Sequence, residues 1–248
     1  MGKAKVRLSA FEPTVSNVAK RTDISSNGSV GSRTWDQSNA DFQPKHKGLG
    51  NNAKLAGFAT SLDFDGTNDH LDLSTAESLA SGTNWMFVIA FVDLDTSSDT
   101  TLLGFEGTAP NVGSDGYLQI GAGGTSIKWK ASTSKRVEVS TAINNTDNSS
   151  TNYTFGSDVE VLIFYQSGSI QYYYNIDGDL IGQTALDGGF SQSCNLTEIG
   201  SHSGATEPFH GQLLDVRVYL DIETGSNVPL TTTASLQAIG NRYKQYKA

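Results

Sequence analysis

The sequence predicts an all-β protein, a two-sheet antiparallel sandwich of the jelly-roll type that ends in a short C-terminal helix. Short segments of alternating apolar and polar residues recur from residue 61 to residue 219, and clusters of Gly, Asp, Asn and Ser separate them. The 26 Gly among 248 residues suit a chain with many turns. A charged fraction of 17% is too low for a coiled coil or a disordered acidic chain, and a single Cys excludes a disulfide framework.

Two strongly apolar segments are predicted to be the central strands of the sandwich. Trp85–Val92 is apolar at nearly every position, which is typical of a strand covered on both faces. Residues 159–166 have the same character. The long segment 209–219 alternates apolar and polar residues and predicts a late strand with one buried face.

The clearest local signal is a β-hairpin over residues 169–183. Tyr172 and Tyr174 share a face with two isoleucines, whereas Tyr173 falls on the opposite face. The Asp-Gly dipeptide at 177–178 tolerates positive φ angles and predicts a type I′ turn between the two strands.

Helical signals are confined to two places. Ser74-Thr75-Ala76-Glu77 fits a capping box and predicts one helical turn after it. Near the C-terminus, apolar residues recur at spacings of three and four and predict the final helix: Leu236, Ile239, Tyr243 and Tyr246.

The domain organisation expected is a single sandwich over residues 31–248, preceded by an N-terminal arm over residues 1–30. The first segment is polar and its periodicity is weak, so we expect an arm that becomes ordered in assembly. No apolar stretch typical of a cleaved export signal follows the basic N-terminus. The longest apolar run, residues 86–92, is too short to span a membrane, so no membrane insertion is expected.

Six segments, in this order, resemble the concanavalin A-like, laminin G-type jelly-roll family. They are TWDQSN at 34–39, SLDFDGTNDHL at 61–71, WMFVIAFV at 85–92, NIDG at 175–178, LTEIG at 196–200 and FHGQLLDVRVY at 209–219. The resemblance covers about residues 34–246 and implies the sandwich fold. It implies no single function, because this fold hosts lectins, adhesion modules, glycosidases and virion proteins.

Four oxygen-bearing side chains within seven residues form a candidate calcium site: Asp63, Asp65, Asn68 and Asp69. The alternative is that these residues stabilise a turn through hydrogen bonds to their own backbone, and this interpretation is favoured. Calcium is the one cofactor that the sequence suggests, and no other is expected.

Aromatic residues on predicted strands form a candidate sugar platform. Trp129, Tyr173 and Tyr117 are the residues chosen, because aromatic rings stack on sugar faces. Tyr173 is the best surface candidate, because Tyr172 and Tyr174 share the face of the isoleucines and are expected to pack in the core.

Other candidate sites are weaker. His202, Glu207 and His210 could converge on a metal ion, but separate surface positions are favoured. Cys194 is expected to be a buried small apolar residue. Neither a paired-carboxylate strand such as Glu-x-Asp-x-Glu nor a Gly-x-Ser-x-Gly elbow occurs, so the sequence predicts that the protein is not an enzyme.

The sequence favours a role as a non-enzymatic virion structural protein of a bacteriophage. Such a protein would be a capsid decoration, a fibre or a tail adhesin that presents a lectin-like jelly roll. The expected partners are other virion proteins, copies of itself in a homo-oligomer and host surface glycans. Its expected location is the virion surface after synthesis in the host cytoplasm. The alternative is a secreted, extracellular lectin or adhesion module, and a glycoside hydrolase or lyase is disfavoured. A net charge of −9 argues against nucleic-acid binding.

Overall fold

Two antiparallel sheets stacked face to face make up most of the computed structural model. It describes residues 6–9, 19–24, 30–34, 62–67, 69–79, 84–107, 113–130, 139–142, 153–167, 170–185, 194–203, 207–219 and 233–244. Within these ranges the chain forms fifteen strands and one α-helix, α1, at Thr233–Lys244. The predicted all-β jelly-roll sandwich with a short C-terminal helix is therefore confirmed.

The strands follow the turn-punctuated pattern of the sequence. Their bounds are β1 Val6–Ser9, β2 Ala19–Ile24, β3 Val30–Thr34, β4 Leu62–Asp65, β5 Asp69–Leu79, β6 Trp85–Val92, β7 Thr100–Gly107, β8 Gly113–Ile120, β9 Ser126–Lys130, β10 Val139–Ala142, β11 Glu160–Ser167, β12 Ile170–Tyr174, β13 Leu180–Ala185, β14 Cys194–Ile199 and β15 His210–Tyr219.

Each sheet has its own strand order. The seven-stranded sheet runs β1-β15-β6-β11-β12-β13, and β4 pairs with the other end of β15. The eight-stranded sheet runs β10-β9-β8-β7-β14-β5-β2-β3. The central strands β6 and β11 pair with each other, and β6 is buried along its whole length, as its continuous apolar sequence predicts.

The inner faces of the two sheets meet in a core dominated by aromatic rings. Phe87 and Phe164 from the seven-stranded sheet pack against Phe105 and Trp129 from the eight-stranded sheet, and the ring centroids of Phe105 and Trp129 are 4.6 Å apart. The ring of Trp85 contacts the rings of both Trp129 and Phe164, at centroid distances of 5.6 and 5.2 Å. Each such ring buries a large apolar area, so these contacts hold the sheets together.

The outer face of the seven-stranded sheet is also apolar, and helix α1 packs on it. Leu236 and Ile239 of α1 join a second buried cluster with Val88 and Ile163 of the sheet. This second cluster explains why β6 and β11 show no alternation, because both of their faces are buried.

A buried ion pair attaches the helix to β15. Asp215 accepts hydrogen bonds from Arg217 Nε at 2.8 Å and from Arg217 Nη2 at 2.6 Å, and its Oδ2 also accepts one from the Tyr243 hydroxyl of α1 at 2.8 Å. The Asp-Val-Arg segment of the closing strand therefore positions the C-terminal helix.

Gly240 lets α1 approach the β12–β13 hairpin closely. It is buried, and a Cβ atom at this position would overlap the carbonyl oxygen of Ile176 in the hairpin turn. Gly178, the turn residue with a φ of 79°, meets the helix at Gln237. The hairpin and the helix are thus in backbone-level contact.

Two local predictions are wrong. The segment at 74–77 belongs to strand β5 rather than a helical turn, because its pairing with β14, including Glu77 opposite Leu196, outweighs the local capping pattern. The hairpin itself is confirmed, but its turn is not type I′. A type I′ turn needs a positive φ at both central residues, and the φ of Asp177 is not positive. The Asn175 side chain instead accepts hydrogen bonds from the backbone N–H groups of Asp177 and Asp179.

Strands β1 and β2 lie within the segment expected to be an arm. β1 pairs with β15 and β2 pairs with β5. The division into an assembly arm at 1–30 and a sandwich at 31–248 stays a prediction. Among the described residues, no helix combines the length and the apolar character needed to cross a membrane.

Gly240→Ala is expected to destabilise the protein, although alanine normally favours a helix by about 1 kcal/mol. The added Cβ must push α1 away from the carbonyl of Ile176, and overpacking of this kind costs about 1–3 kcal/mol. Urea denaturation measures the effect. Asn241→Ala, at the next and exposed helix position, is the control and should be neutral or slightly stabilising. A stabilised Gly240→Ala variant would contradict the close approach.

Cys194 is expected to resist thiol reagents in the folded protein. It is buried, as the sequence predicts, and burial raises the pKa of its thiol to about 12. Below that pH the thiol stays protonated, and only the thiolate reacts. Ellman's reagent at mildly alkaline pH should label the urea-unfolded chain rapidly and the native chain only as fast as it opens. Rapid native labelling would show that the thiol is accessible.

Candidate binding face

Two of the three aromatic residues chosen as a sugar platform lie in the core. Trp129 is 1% exposed and Tyr173 is 0% exposed, and both belong to the cluster between the sheets. The ring of Tyr173 stacks on Phe164 at a centroid distance of 5.2 Å, and its hydroxyl donates to Gln171. The expected surface position of Tyr173 and Trp129 is therefore wrong, because their strand faces point towards the opposite sheet.

Two tyrosines that were expected in the core, Tyr172 and Tyr174, are only partly buried, whereas their neighbour Tyr165 is buried. Tyr165, Tyr172 and Tyr174 lie on the outer face of the seven-stranded sheet and form a tyrosine row, stacked with centroid distances of 6.1 and 6.5 Å. Tyr172 and Tyr174 are half-buried. Burial, together with the neighbouring tyrosines, raises the pKa of Tyr174 to about 12, so its hydroxyl stays protonated at physiological pH.

The outer face of the eight-stranded sheet is polar where its side chains are described, over β9, β8, β7, β14 and β5. One row of register partners crosses five strands, from Lys130 on β9 through Tyr117 and Gly104 to Glu198 and Asp72 on β14 and β5. The residues beside them in the chain, such as Leu118 and Leu71, point into the core. We call this surface the polar face, and it consists of His70, Asp72, Tyr117, Gln119, Lys130, Glu198, His202 and Glu207.

Gly104 allows the chain after β14 to fold onto the polar face. A Cβ atom at Gly104 would overlap the carbonyl oxygen of Ser201 and would lie 3.0 Å from both Glu198 Cβ and His202 Cα. Without a side chain at this position, the ring of His202 reaches Tyr117 at a centroid distance of 4.9 Å. Tyr117 thus lies on the polar face, but His202 and Lys130 pack against its ring, and it is only 8% exposed.

A hydrogen-bond network connects the loop after β14 with the sheet. Gln119 donates to Thr101 at 3.0 Å and to Glu207 Oε2 at 2.6 Å, and the same oxygen lies 3.4 Å from His202 Nε2. Glu207 has 47% of its side chain exposed. The network therefore runs from buried amide and imidazole groups to a carboxylate that faces solvent.

The backbone at both sides of this loop is strained. Ser203 has a φ of 50° and Glu207 a φ of 44°, both in the left-handed region that costs a non-glycine residue about 1–2 kcal/mol. Such strain persists only where surrounding contacts hold it, and it concentrates at functional sites. Here the Glu207 carbonyl accepts the Thr101 N–H, and the Glu207 side chain accepts Gln119.

A second group of ionisable residues lies further along the polar face. His70 and Asp72 are two residues apart on β5, and Glu198 is the register partner of Asp72 on β14. One ligand atom from each of the three lies within 4.8 Å of the others, and His70 Nε2 is 3.6 Å from Asp72 Oδ1. His70 is almost fully buried, whereas 42% of the Asp72 side chain is exposed.

The residues of the predicted calcium site support the turn interpretation. Asp65 Oδ1 accepts the Thr67 N–H at 2.7 Å, and Asp69 Oδ2 accepts the Asp65 N–H at 3.0 Å. These two carboxylates cap the β4–β5 turn. Asn68 and the side chain of Asp63 lie outside the described residues. Calcium binding by Asp63, Asp65, Asn68 and Asp69 stays a prediction.

The three residues weighed as a metal site separate in the structure. His202 and Glu207 meet on the polar face, whereas His210, the first residue of β15, pairs with Asp95 at 3.0 Å. Sequence reasoning did not select Gln119, Lys130, Asp72 or Glu198. Period-two alternation could have placed the first two on the face opposite Leu118 and Trp129, but only the β5–β14 register brings Asp72 and Glu198 together.

Comparisons with known proteins find only distant structural similarity. No protein-family model matches the chain, and no curated protein matches it. One similar solved structure is the CBM40 of the IT-sialidase from Ruminococcus gnavus, bound to alpha2,3 sialyllactose. Its TM-score is 0.46 at 15% identity, and the alignment covers 73% of this chain and 96% of the CBM40 chain. The SAP-like pentraxin from Limulus polyphemus has a TM-score of 0.49 and 12% identity over 72% of this chain and 80% of its own.

A third similar structure is domain 4 of AbnA, a GH43 extracellular arabinanase from Geobacillus stearothermophilus, in complex with arabinotriose. Its TM-score is 0.42 at 14% identity, over 73% of this chain and 76% of its own. Similarity at this level assigns no ligand to this chain.

Proposed function

We propose that this protein is a non-enzymatic, lectin-like module that binds neutral saccharides through the polar face. One observation carries the proposal. On one side of the sandwich, hydrogen-bond donors and acceptors extend from the buried network to the solvent. Glu207 and Asp72 are about half exposed, and Lys130 and Glu198 are half-buried. Sugar hydroxyls need such a mixture of acceptors and donors, held on a rigid support.

The position of helix α1 favours this face over the opposite one. α1 and its apolar cluster cover part of the outer face of the seven-stranded sheet, including Val88 and Ile163. The polar face instead carries side chains whose hydrogen-bonding groups are partly solvated. The saccharide would replace water on these groups, at a lower cost than separating packed apolar side chains.

The charges on the polar face favour neutral sugars over acidic ones. Asp72, Glu198 and Glu207 are carboxylates. Of the lysines on β9, Lys130 lies at the opposite end of the register row from Asp72, and Lys128 is paired with Asp99. A carboxylate accepts two hydroxyls of one sugar ring in a charge-assisted geometry, whereas it repels a sialic acid or a uronic acid. Because the rings of His202 and Tyr117 contact each other, binding here depends on hydrogen bonds more than on an open stacking platform.

A glycan array followed by calorimetry tests the proposal. Neutral oligosaccharides should bind, and Glu207→Ala and Lys130→Ala should each weaken binding by about 10–100-fold, because each removes a charge-assisted hydrogen bond. Asp158→Ala, which removes an exposed carboxylate just before β11 of the seven-stranded sheet, is the matched control and should bind as the parent does. Undiminished binding by both folded variants would contradict the site, and an array without neutral ligands would contradict the function.

Glycoside hydrolysis is the second candidate, because one observation favours it. Asp72 and Glu198 are register partners on the adjacent strands β5 and β14, so their carboxylates lie close together. Glycosidases use such a pair of carboxylates. Here the pair comes from two strands, not from the single-strand motif that the sequence lacks. Release of reducing sugar from a bound oligosaccharide, abolished by Glu198→Gln, would establish it. Unaltered oligosaccharide after prolonged incubation favours binding alone.

The virion role predicted from the sequence stays a prediction, as do its virion partners, its homo-oligomeric state and its location on the particle surface. A lectin-like polar face is compatible both with a virion adhesin and with an extracellular module. Purified particles that contain the chain in stoichiometric amounts would distinguish the two.

A further inference from the structure

We infer that His70, Asp72 and Glu198 form a binding site for a divalent transition-metal cation on the outer face of the eight-stranded sheet, with zinc as the best match. This site goes beyond saccharide binding and does not depend on it. It also differs from the calcium site predicted at the β4–β5 turn, because it uses an imidazole nitrogen and a residue from another strand.

The backbone positions the three side chains. Residues two apart on a strand point to the same face, so His70 and Asp72 both lie on the outer side of β5, and their neighbour Leu71 is in the core. Antiparallel pairing puts Glu198 of β14 directly beside Asp72. A site built on paired strands inside a sheet is held more rigidly than one built on a loop.

The distances suit a site that closes on an ion with small side-chain movements. The ligand atoms lie within 4.8 Å of one another, and His70 Nε2 and Asp72 Oδ1 are already 3.6 Å apart. Ligands at about 2.0–2.2 Å from one zinc ion lie roughly 3–3.5 Å from each other. The remaining difference, roughly 1 Å, is within the reach of rotation about the Glu198 and Asp72 side-chain torsions.

The electrostatics of the site favour a cation. Two like charges on directly opposed residues of neighbouring strands repel each other, and Asp72 and Glu198 form such a pair. A divalent ion neutralises both carboxylates at once and leaves His70 uncharged as a ligand.

The donor set selects the class of metal. Imidazole nitrogen suits zinc, copper, iron and nickel, whereas calcium and magnesium prefer sites made wholly of oxygen ligands. One nitrogen and two carboxylate oxygens supply three protein ligands. A fourth position stays open for water or for a hydroxyl group of a bound molecule.

Calorimetric titration of the metal-stripped, full-length protein with zinc in sugar-free buffer tests the inference. We expect one equivalent of zinc to bind, with affinity lowered by at least about tenfold in Asp72→Asn and in Glu198→Gln, since even outer-shell partners of a metal are worth about 10–100-fold. Glu106→Gln removes the same charge from an exposed position on β7 outside the cluster and should leave affinity unchanged. Cobalt substitution should give a visible absorption band that both ligand variants lose.

Neither amide variant is expected to disturb folding. Glu198 is half-buried and Asp72 is partly exposed, so their amide variants should keep the circular dichroism spectrum and melting behaviour of the parent chain. Because His70 is buried, metal binding by His70→Gln is measured only from the cobalt absorption spectrum of folded protein. Zinc binding that is equal in parent and ligand variants, or no zinc binding by the parent, would overturn the site, and neither result would bear on saccharide binding through Glu207 and Lys130.

Discussion

The aromatic contact between the two sheets is the constraint on which the rest of the structure depends. Phe87, Phe105, Trp129 and Phe164 interlock across the sandwich, and they determine which face of each strand is inward. Once Trp129 points inward, Lys130 on the same strand must point outward. Because side chains alternate along every strand, the packed core also determines which residues are left to form the polar face.

The two outer faces then have different roles. On the seven-stranded sheet, helix α1 adds a second apolar layer, and the Asp215–Arg217 pair with the Tyr243 hydroxyl attaches it. Removing one partner from such a buried pair is costly, so the helix is an integral part of the fold. On the eight-stranded sheet, Gly104 admits the loop that carries His202, and this loop brings a polar network to the surface.

Sequence reasoning predicted the architecture and the central strands, because β6 and β11 are apolar throughout and the hairpin has clear alternation. It misplaced Tyr173 for a physical reason. Tyr172 and Tyr174 share a face with isoleucines, and this face is apolar because α1 and the tyrosine row cover it, not because it lies between the sheets. When both faces of a strand are buried, alternation alone does not identify the inner one. The Asp72–Glu198 pair likewise depends on a strand register that one strand's pattern does not contain.

We propose that ligands bind on the polar face and not on the helix-bearing side. A two-dimensional amide NMR titration with a neutral oligosaccharide tests this claim directly. Binding on the polar face should shift Gly104, Gln119 and Glu207 in a concentration-dependent manner and leave Tyr172 and Gln183 unaffected. Shifts confined to Tyr172, Tyr174 and their neighbours on β13 would instead assign binding to the tyrosine row and rule out the polar face.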